Sequence, residues 1–134
     1  GGDNVRRKSE SNELSQCEPM VMKLIWEAEE EISIQEVIAR MNEQFHKDYA
    51  RSTVVTFLGN LAEKGYISTY KVGKKAYIHA EKQEDWYKRK RVKEETDFWF
   101  DGKPSELMSA LCDSGKISKE EIAKMRGILD ELDA

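Results

Sequence analysis

Apolar residues recur at helical spacing in the first half of the chain and predict three short helices. The pattern places them over about 16–28, 34–46 and 51–64. Ser15 and Ser33 are each followed three residues later by a glutamate, an arrangement typical of a capping box at a helix start. A glycine directly after the third stretch is a common C-terminal stop, so we expect three helices joined by short turns.

After the third helix the period changes from helical to alternating. Residues 66–72 and 76–80 are rich in β-branched and aromatic side chains, and Gly73 opens a short basic turn between them. We therefore predict a two-stranded hairpin that follows the third helix at once. Three helices and such a hairpin make a winged helix-turn-helix, a mainly α fold that often binds DNA.

The rest of the chain is helical again by its pattern. We expect a long helix over about 83–100, a short one over 105–113, and a last helix that begins at the capping box of Ser118. The predicted domains are a disordered lead-in over 1–13, a DNA-binding winged helix over 14–80 and a helical dimerisation region over 81–134.

The charge distribution supports a polyanionic partner despite an acidic total. The 134 residues carry a net charge of −4, but residues 47–93 hold 12 basic and 5 acidic side chains, a net of +7. Both flanking parts are acidic. Because surface potential follows charges within about a Debye length, the basic middle can attract DNA. The alternative is that it only balances the flanks.

Other function classes find little support in the residues. The two cysteines and two histidines show no metal-binding spacing, so we expect no metal and no other cofactor. No phosphate loop or nucleophile motif is present, and Glu30 and Glu31 belong to an acidic run that we interpret as solvated. The chain is predicted not to be an enzyme. It has no apolar run of about 18–20 residues for a membrane span, and we expect a cytoplasmic protein.

A helix that enters the major groove presents short polar and methyl-bearing side chains to base edges. The third helix offers such residues opposite its apolar stripe, and the hairpin adds lysines for phosphates. The predicted DNA-binding residues are Arg51, Ser52, Thr53, Val55, Thr56, Asn60, Lys71, Lys74 and Lys75. A solvated helix face with a lysine-rich hairpin is the simpler alternative.

The C-terminal helices are too short to bury much apolar surface alone, and three consecutive aromatic residues cannot all face one core. We therefore predict a homodimer. The predicted dimerisation residues are Phe98, Trp99, Phe100, Leu107, Leu111, Ile122, Met125 and Leu129. The basic run over 88–91 is interpreted first as a solvated helix surface and second as a phosphate contact.

Four segments, at 14–26, 52–67, 101–108 and 118–122, together resemble the penicillinase-repressor family over about 14–132. The resemblance implies a homodimeric repressor that binds a palindromic operator in double-stranded DNA. It implies relief through a membrane-bound sensor metalloprotease, with a cleavage bond that falls near Ala110–Leu111, and a possible link to antibiotic resistance.

By this resemblance the operator-contacting positions fall on residues already chosen from the pattern. They are Ser52, Thr53, Val55, Thr56 and Asn60. The chain departs from the family's pattern, because members often carry a basic residue at the positions of Val55 and Asn60. The 134 residues include no cysteine-rich tail like that of the copper-responsive branch, so we expect no direct copper sensing.

Two alternatives from other classes remain open. A winged helix can act as a protein-interaction subunit that does not bind DNA, and such binding would be insensitive to salt. A ligand-sensing regulator is weaker, because the sequence shows no pocket. Steep salt dependence is the property that separates DNA binding from the first alternative.

Overall fold

A computed structural model describes residues 13–14 and 17–134. The lead-in predicted over 1–13, apart from its last residue, and Ser15 lie outside these residues. The described elements follow in the order α1 (Glu18–Glu27), α2 (Ile34–Gln44), α3 (Arg51–Glu63), β1 (Ile67–Val72), β2 (Lys75–Ala80), α4 (Glu84–Trp99), α5 (Pro104–Asp113) and α6 (Lys119–Asp133). This order confirms the predicted mainly helical winged helix-turn-helix and its two-stranded wing.

The chain forms two compact units, the first ending at Lys88 and the second beginning at Arg89. The division lies inside α4, several residues beyond the domain boundary predicted after residue 80. Aromatic contacts explain the difference, because the ring of Tyr87 lies 5.5 Å from that of Trp26 and 6.0 Å from that of Tyr66. The start of α4 therefore belongs to the core of the first unit. The roles predicted for the two parts stay predictions.

The core of the first unit lies between α1, α2, α3 and the base of the hairpin. Most of its members are apolar residues whose spacing predicts the helices, and Tyr66 and Ile78 come from the hairpin region. The most deeply buried are Val21, Met22, Leu24, Val37, Met41, Val54, Leu61, Tyr66 and Ile78. Burial of one such side chain stabilises the folded state by about 1.5–3 kcal/mol. The cluster therefore sets the orientation of α3 within the first unit.

The turn between α2 and α3 is held by one amide side chain. Asn42 Oδ1 accepts a hydrogen bond from the backbone N–H of Tyr49 at 2.8 Å, and its Nδ2 donates to the Tyr49 carbonyl at 3.3 Å. The Tyr49 ring also contacts Phe57 of α3 edge-on at 5.7 Å. These contacts join the turn to both helices, so Asn42 helps to set the direction in which α3 leaves the turn.

The end of α3 turns sharply into the wing. Gly65 has a φ of +84°, the left-handed conformation that favours glycine. The N–H of Tyr66 donates to the Leu61 carbonyl at 2.9 Å, and that of Gly65 donates to the Ala62 carbonyl at 3.1 Å. This pair of bonds is a Schellman motif, as the predicted glycine stop implies.

A buried ion pair connects the end of α3 to the start of α1. Lys64 Nζ lies 2.6 Å from Glu18 Oε1, with 4% and 3% of the two side chains exposed. Lys64 Nζ also donates to the Glu13 carbonyl at 2.8 Å. The sequence analysis places Glu18 in a capping box with Ser15, which lies outside the described residues. The carboxylate of Glu18 binds a lysine distant in sequence, a contact that the capping pattern does not predict.

The wing is a regular antiparallel hairpin in which Ile67 is opposite Ala80 and Val72 is opposite Lys75. Its two-residue loop begins with Gly73, whose φ of +65° suits the first position of such a turn. At the other side of the hairpin, the N–H of Ile78 donates to the carbonyl of Ile32 at 3.0 Å. The wing is therefore tied to the loop between α1 and α2.

The second unit contains the rest of α4 together with α5 and α6. No side chain of α5 or α6 is buried. Ser118 caps α6 as predicted, since its Oγ accepts a hydrogen bond from the N–H of Glu121 at 3.1 Å. This unit thus has regular helices but little core of its own.

Candidate nucleic-acid interface

One face of α3 is exposed and consists of small side chains. Ser52, Val55, Thr56 and Gly59 lie at spacings of three and four residues and are all exposed. We call these four residues the outer face of α3. The predicted contacts Thr53 and Asn60 are half-buried and border this face. The structure therefore brings three predicted residues together and adds Gly59, which the sequence analysis did not select.

The outer face has limited capacity to donate hydrogen bonds. The Thr56 hydroxyl donates to the backbone carbonyl of Ser52 at 2.9 Å. Toward solvent, the Thr56 side chain can therefore offer an acceptor oxygen and a methyl group. Val55 adds only hydrocarbon and is 41% exposed. The face thus combines methyl groups with a few acceptors, and Ser52 supplies a hydroxyl.

The N-terminus of α3 is suited to a phosphate group. No side chain caps it, and its first turn contains no acidic residue. Arg51 is exposed at this position. Because the helix dipole places partial positive charge there, the predicted role of Arg51 as a backbone contact fits its surroundings.

The three wing lysines, Lys71, Lys74 and Lys75, are all exposed. None of them forms an ion pair within the part of the chain that the structure describes. The hairpin register places Lys71 and Lys75 on opposite faces, with Lys74 in the loop. Lys75 also lines a cleft rich in glutamates between α1 and α2. The wing lysines therefore do not form one uniform patch, and Lys75 faces a more acidic environment.

On the face shared with Lys75, Glu31 holds the wing. Tyr70 Oη donates to Glu31 Oε1 at 2.5 Å, and His79 Nδ1 hydrogen-bonds the other carboxylate oxygen. The Tyr70 hydroxyl, followed by His79, lowers the pKa of Glu31, and the same carboxylate raises the pKa of His79 and of Tyr70. The interpretation of Glu31 as part of a merely solvated run is thus incomplete. Its side chain is exposed but bridges the α1–α2 loop to both strands.

The basic run over 88–91 is largely paired with acidic residues one helical turn away. Lys88 lies 3.5 Å from Glu84, Lys90 lies 3.0 Å from Glu94, and Arg91 lies 2.8 Å from Glu95. Such pairs stabilise an exposed helix modestly. This finding favours the solvated helix surface over a phosphate contact for these residues.

Most predicted dimerisation residues lie exposed in the second unit. Phe98 and Trp99 are 74% and 65% exposed, and their rings contact each other at 4.7 Å. Leu111, Ile122 and Leu129 are exposed as well, whereas Phe100, Leu107 and Met125 are half-buried. Ile128 and Leu132, which the sequence analysis did not select, add to this surface. So much exposed apolar area in a small unit indicates an interaction surface.

An apolar groove lies between α5 and α6, with a volume of about 480 Å³. It is lined by Met108, Cys112, Ile117, Ile122, Met125, Arg126 and Leu129. Three predicted dimerisation residues, Ile122, Met125 and Leu129, therefore line this groove.

The bond predicted for cleavage lies inside a helix. Ala110 is half-buried and Leu111 is exposed in α5, and the Ala110 carbonyl accepts a hydrogen bond from the N–H of Ser114 at 3.1 Å. A protease that requires an extended substrate would first have to open this part of α5.

Within the described residues, no group of three or more His, Cys, Asp or Glu side chains is arranged to hold a metal ion. Over the same part of the chain, no helix is both long and apolar enough to cross a membrane.

The helix order, the wing and the outer face of α3 define a winged-helix protein of the kind that regulates transcription. A family model described as penicillinase repressor matches residues 14–131. The chain therefore belongs to the penicillinase repressor family, as its resemblance indicated. Membership supports a DNA-binding repressor and a regulator rather than an enzyme.

One similar solved structure is the solution structure of the DNA binding domain of the repressor BlaI. The match has 27% sequence identity and a TM-score of 0.48, and it spans 55% of this chain and 85% of that domain. No curated protein matches the chain.

Proposed function

We propose that the chain is a homodimeric transcriptional repressor that occupies a palindromic operator in double-stranded DNA. The observation that carries this proposal is the outer face of α3, which is exposed beside an uncapped helix N-terminus and a basic wing. In this arrangement α3 enters the major groove, while Arg51 and the wing lysines neutralise phosphates. Occupancy of the operator blocks transcription.

The second unit supplies the dimer contact in this proposal. Its helices leave Phe98, Trp99, Leu111 and Leu129 exposed, and water contact with such apolar surface is unfavourable. A twofold contact between two copies would cover these residues. It would also present two α3 helices to two half-sites, so that each binding event strengthens the other.

Relief of repression by a sensor metalloprotease is the part of the proposal that comes from the family. Cleavage at Ala110–Leu111 would separate α6 and the end of α5 from the rest of the chain. The two copies would then lose much of their contact. Since this bond lies in a helix, we expect cleavage to require local opening of α5.

The test is a titration of the full chain against duplex DNA by fluorescence anisotropy. The probes are the DNA upstream of its own gene and a palindrome selected from a random duplex library. We expect the dimer to prefer the palindrome over a single half-site, and we expect its affinity to fall steeply as salt rises. Binding that ignores salt and sequence would favour the protein-interaction alternative.

Thr56→Ala on the outer face tests the assignment of α3. We expect weaker operator binding with unchanged unfolding, because the Thr56 side chain is exposed. Glu94→Ala in α4 is the control outside α3, as it removes a half-buried helical ion pair with Lys90. Equal operator affinity of Thr56→Ala and the parent would contradict the assigned helix.

A further inference from the structure

Gly59 lies in the interior of α3, where no contact within the described residues requires a glycine. Glycine destabilises a helix interior relative to alanine. Gly59 does not have the positive φ that favours glycine, and a Cβ added there would meet nothing within 4 Å. Neither the backbone conformation nor packing within the chain requires a glycine at this position. Gly59 therefore leaves open space on the outer face, which allows a partner to approach the helix backbone closely.

The neighbours of Gly59 on the outer face are also small. Ser52, Val55 and Thr56 present no long side chain, and the Thr56 hydroxyl proton is already bound to a backbone carbonyl. A face of this kind has little means of reading bases through long bidentate donors. It does present methyl groups, on Val55 and Thr56. In the major groove a thymine is distinguished by its own 5-methyl group.

We propose that α3 approaches the base edges closely at Gly59 and that Val55 and Thr56 recognise the 5-methyl groups of operator thymines. This inference rests on the proposed operator binding and specifies how the operator is read. The charges favour DNA as the occupant, because Arg51 lies at the start of the face and Glu63 lies at its far end.

The first test is Gly59→Ala. Alanine is the better helix former, so this variant should raise the Tm by about 4–8 °C. Its methyl group would hold α3 away from the bases, so operator affinity should fall by on the order of tenfold. A change that stabilises the protein while weakening its binding is not expected from a merely structural glycine.

Gly127→Ala in α6 is the matched control, because Gly127 is also a helix-interior glycine with open space at its Cβ. It should raise the Tm without changing operator affinity, with the oligomeric state checked by sedimentation. If Gly59→Ala binds the operator as tightly as the parent, close approach at Gly59 is wrong.

The second test removes thymine methyl groups from the DNA. Each operator thymine is replaced in turn by deoxyuracil, which keeps the base-pairing pattern. Loss of one buried methyl contact should weaken binding by about fourfold, and by about 16-fold when both half-sites are changed. Val55→Ala should make the protein insensitive at one of these positions, which identifies the side chain in contact.

The outcomes separate this inference from the proposed function. If the parent protein binds the operator selectively and every uracil duplex binds equally well, methyl recognition is overturned and operator binding stands. If the parent binds no duplex selectively, both proposals are overturned. A loss confined to particular thymines, and abolished by Val55→Ala, supports methyl recognition.

Discussion

The buried pair of Lys64 and Glu18 gives the sharpest prediction about stability. Lys64→Met keeps most of the length of the side chain but removes the ammonium group 2.6 Å from the Glu18 carboxylate. Both side chains are almost fully buried, so the remaining carboxylate loses a cation that water cannot easily replace. Removal of one member of a buried pair costs about 3–5 kcal/mol. We expect a loss of that size in the free energy of unfolding.

The assay is urea unfolding, in which tryptophan fluorescence and circular dichroism both monitor the transition. Lys64→Met combined with Glu18→Leu removes both charges and should recover most of the loss. Recovery should be incomplete, because Glu18 also lies in the first turn of α1, where a negative charge is favourable by about 0.3–1 kcal/mol. A loss below about 1 kcal/mol for Lys64→Met alone would show that the pair is solvated and would refute the reasoning.

Three further predictions concern the turn, the wing and the phosphate contacts. Asn42→Ala removes two hydrogen bonds across the α2–α3 turn and should cost about 1–3 kcal/mol in urea unfolding, with weaker operator binding because α3 loses its fixed direction. Glu31→Gln should return the raised pKa of His79 toward about 6.5, as an NMR titration of the ring measures. The pKa of His79 is higher in the folded protein than in the unfolded chain. The stability from this contact is therefore fully present below about pH 6.5 and is lost as the pH rises through the folded-state pKa. Glu31→Gln should accordingly lower the free energy of unfolding more at pH 6 than at pH 8. Lys74→Ala should reduce the slope of log affinity against log salt by about 1, whereas Lys75→Ala, in the acidic cleft, should change it less, and equal slopes for parent and Lys74→Ala would contradict the wing contact.

The elements with local signals could be predicted from the sequence. Ser33 and Ser118 each bind a backbone N–H three residues away, and Gly65 ends α3 through bonds within five residues. Such interactions depend on neighbours in the chain, so spacing alone identifies them. The helical period of the core residues also predicts which face of each helix packs in the core. For this reason the order of helices and strands in the winged helix could be predicted.

Contacts between distant segments could not be predicted in this way. Lys64 binds Glu18 across 46 residues, and His79 binds Glu31 across 48. Each glutamate has a plausible local role, Glu18 in a capping box and Glu31 in a solvated run. Only the packing of α1 against α3, and of the α1–α2 loop against the wing, brings the partners together.

Two features of the candidate interface had readable signals that were not used. Gly59 lies three residues after Thr56 and seven after Ser52, so helical spacing already places it on the outer face. The glutamates at 94 and 95 follow Lys90 and Arg91 by four residues, which indicates paired rather than available charge. The exposure of Thr53 and Asn60, by contrast, depends on how α3 is rotated in the core.

The central claim is that two copies of this chain bind a palindromic operator through α3. The most direct measurement is an anisotropy titration of the full chain with the selected palindrome and its half-site at two salt concentrations, with sedimentation of the free protein. We expect a dimer that prefers the palindrome. Its log affinity should fall linearly with log salt concentration, with a slope of about −0.9 for each phosphate contact. A folded dimer that binds palindrome, half-site and unrelated duplex equally would contradict the claim.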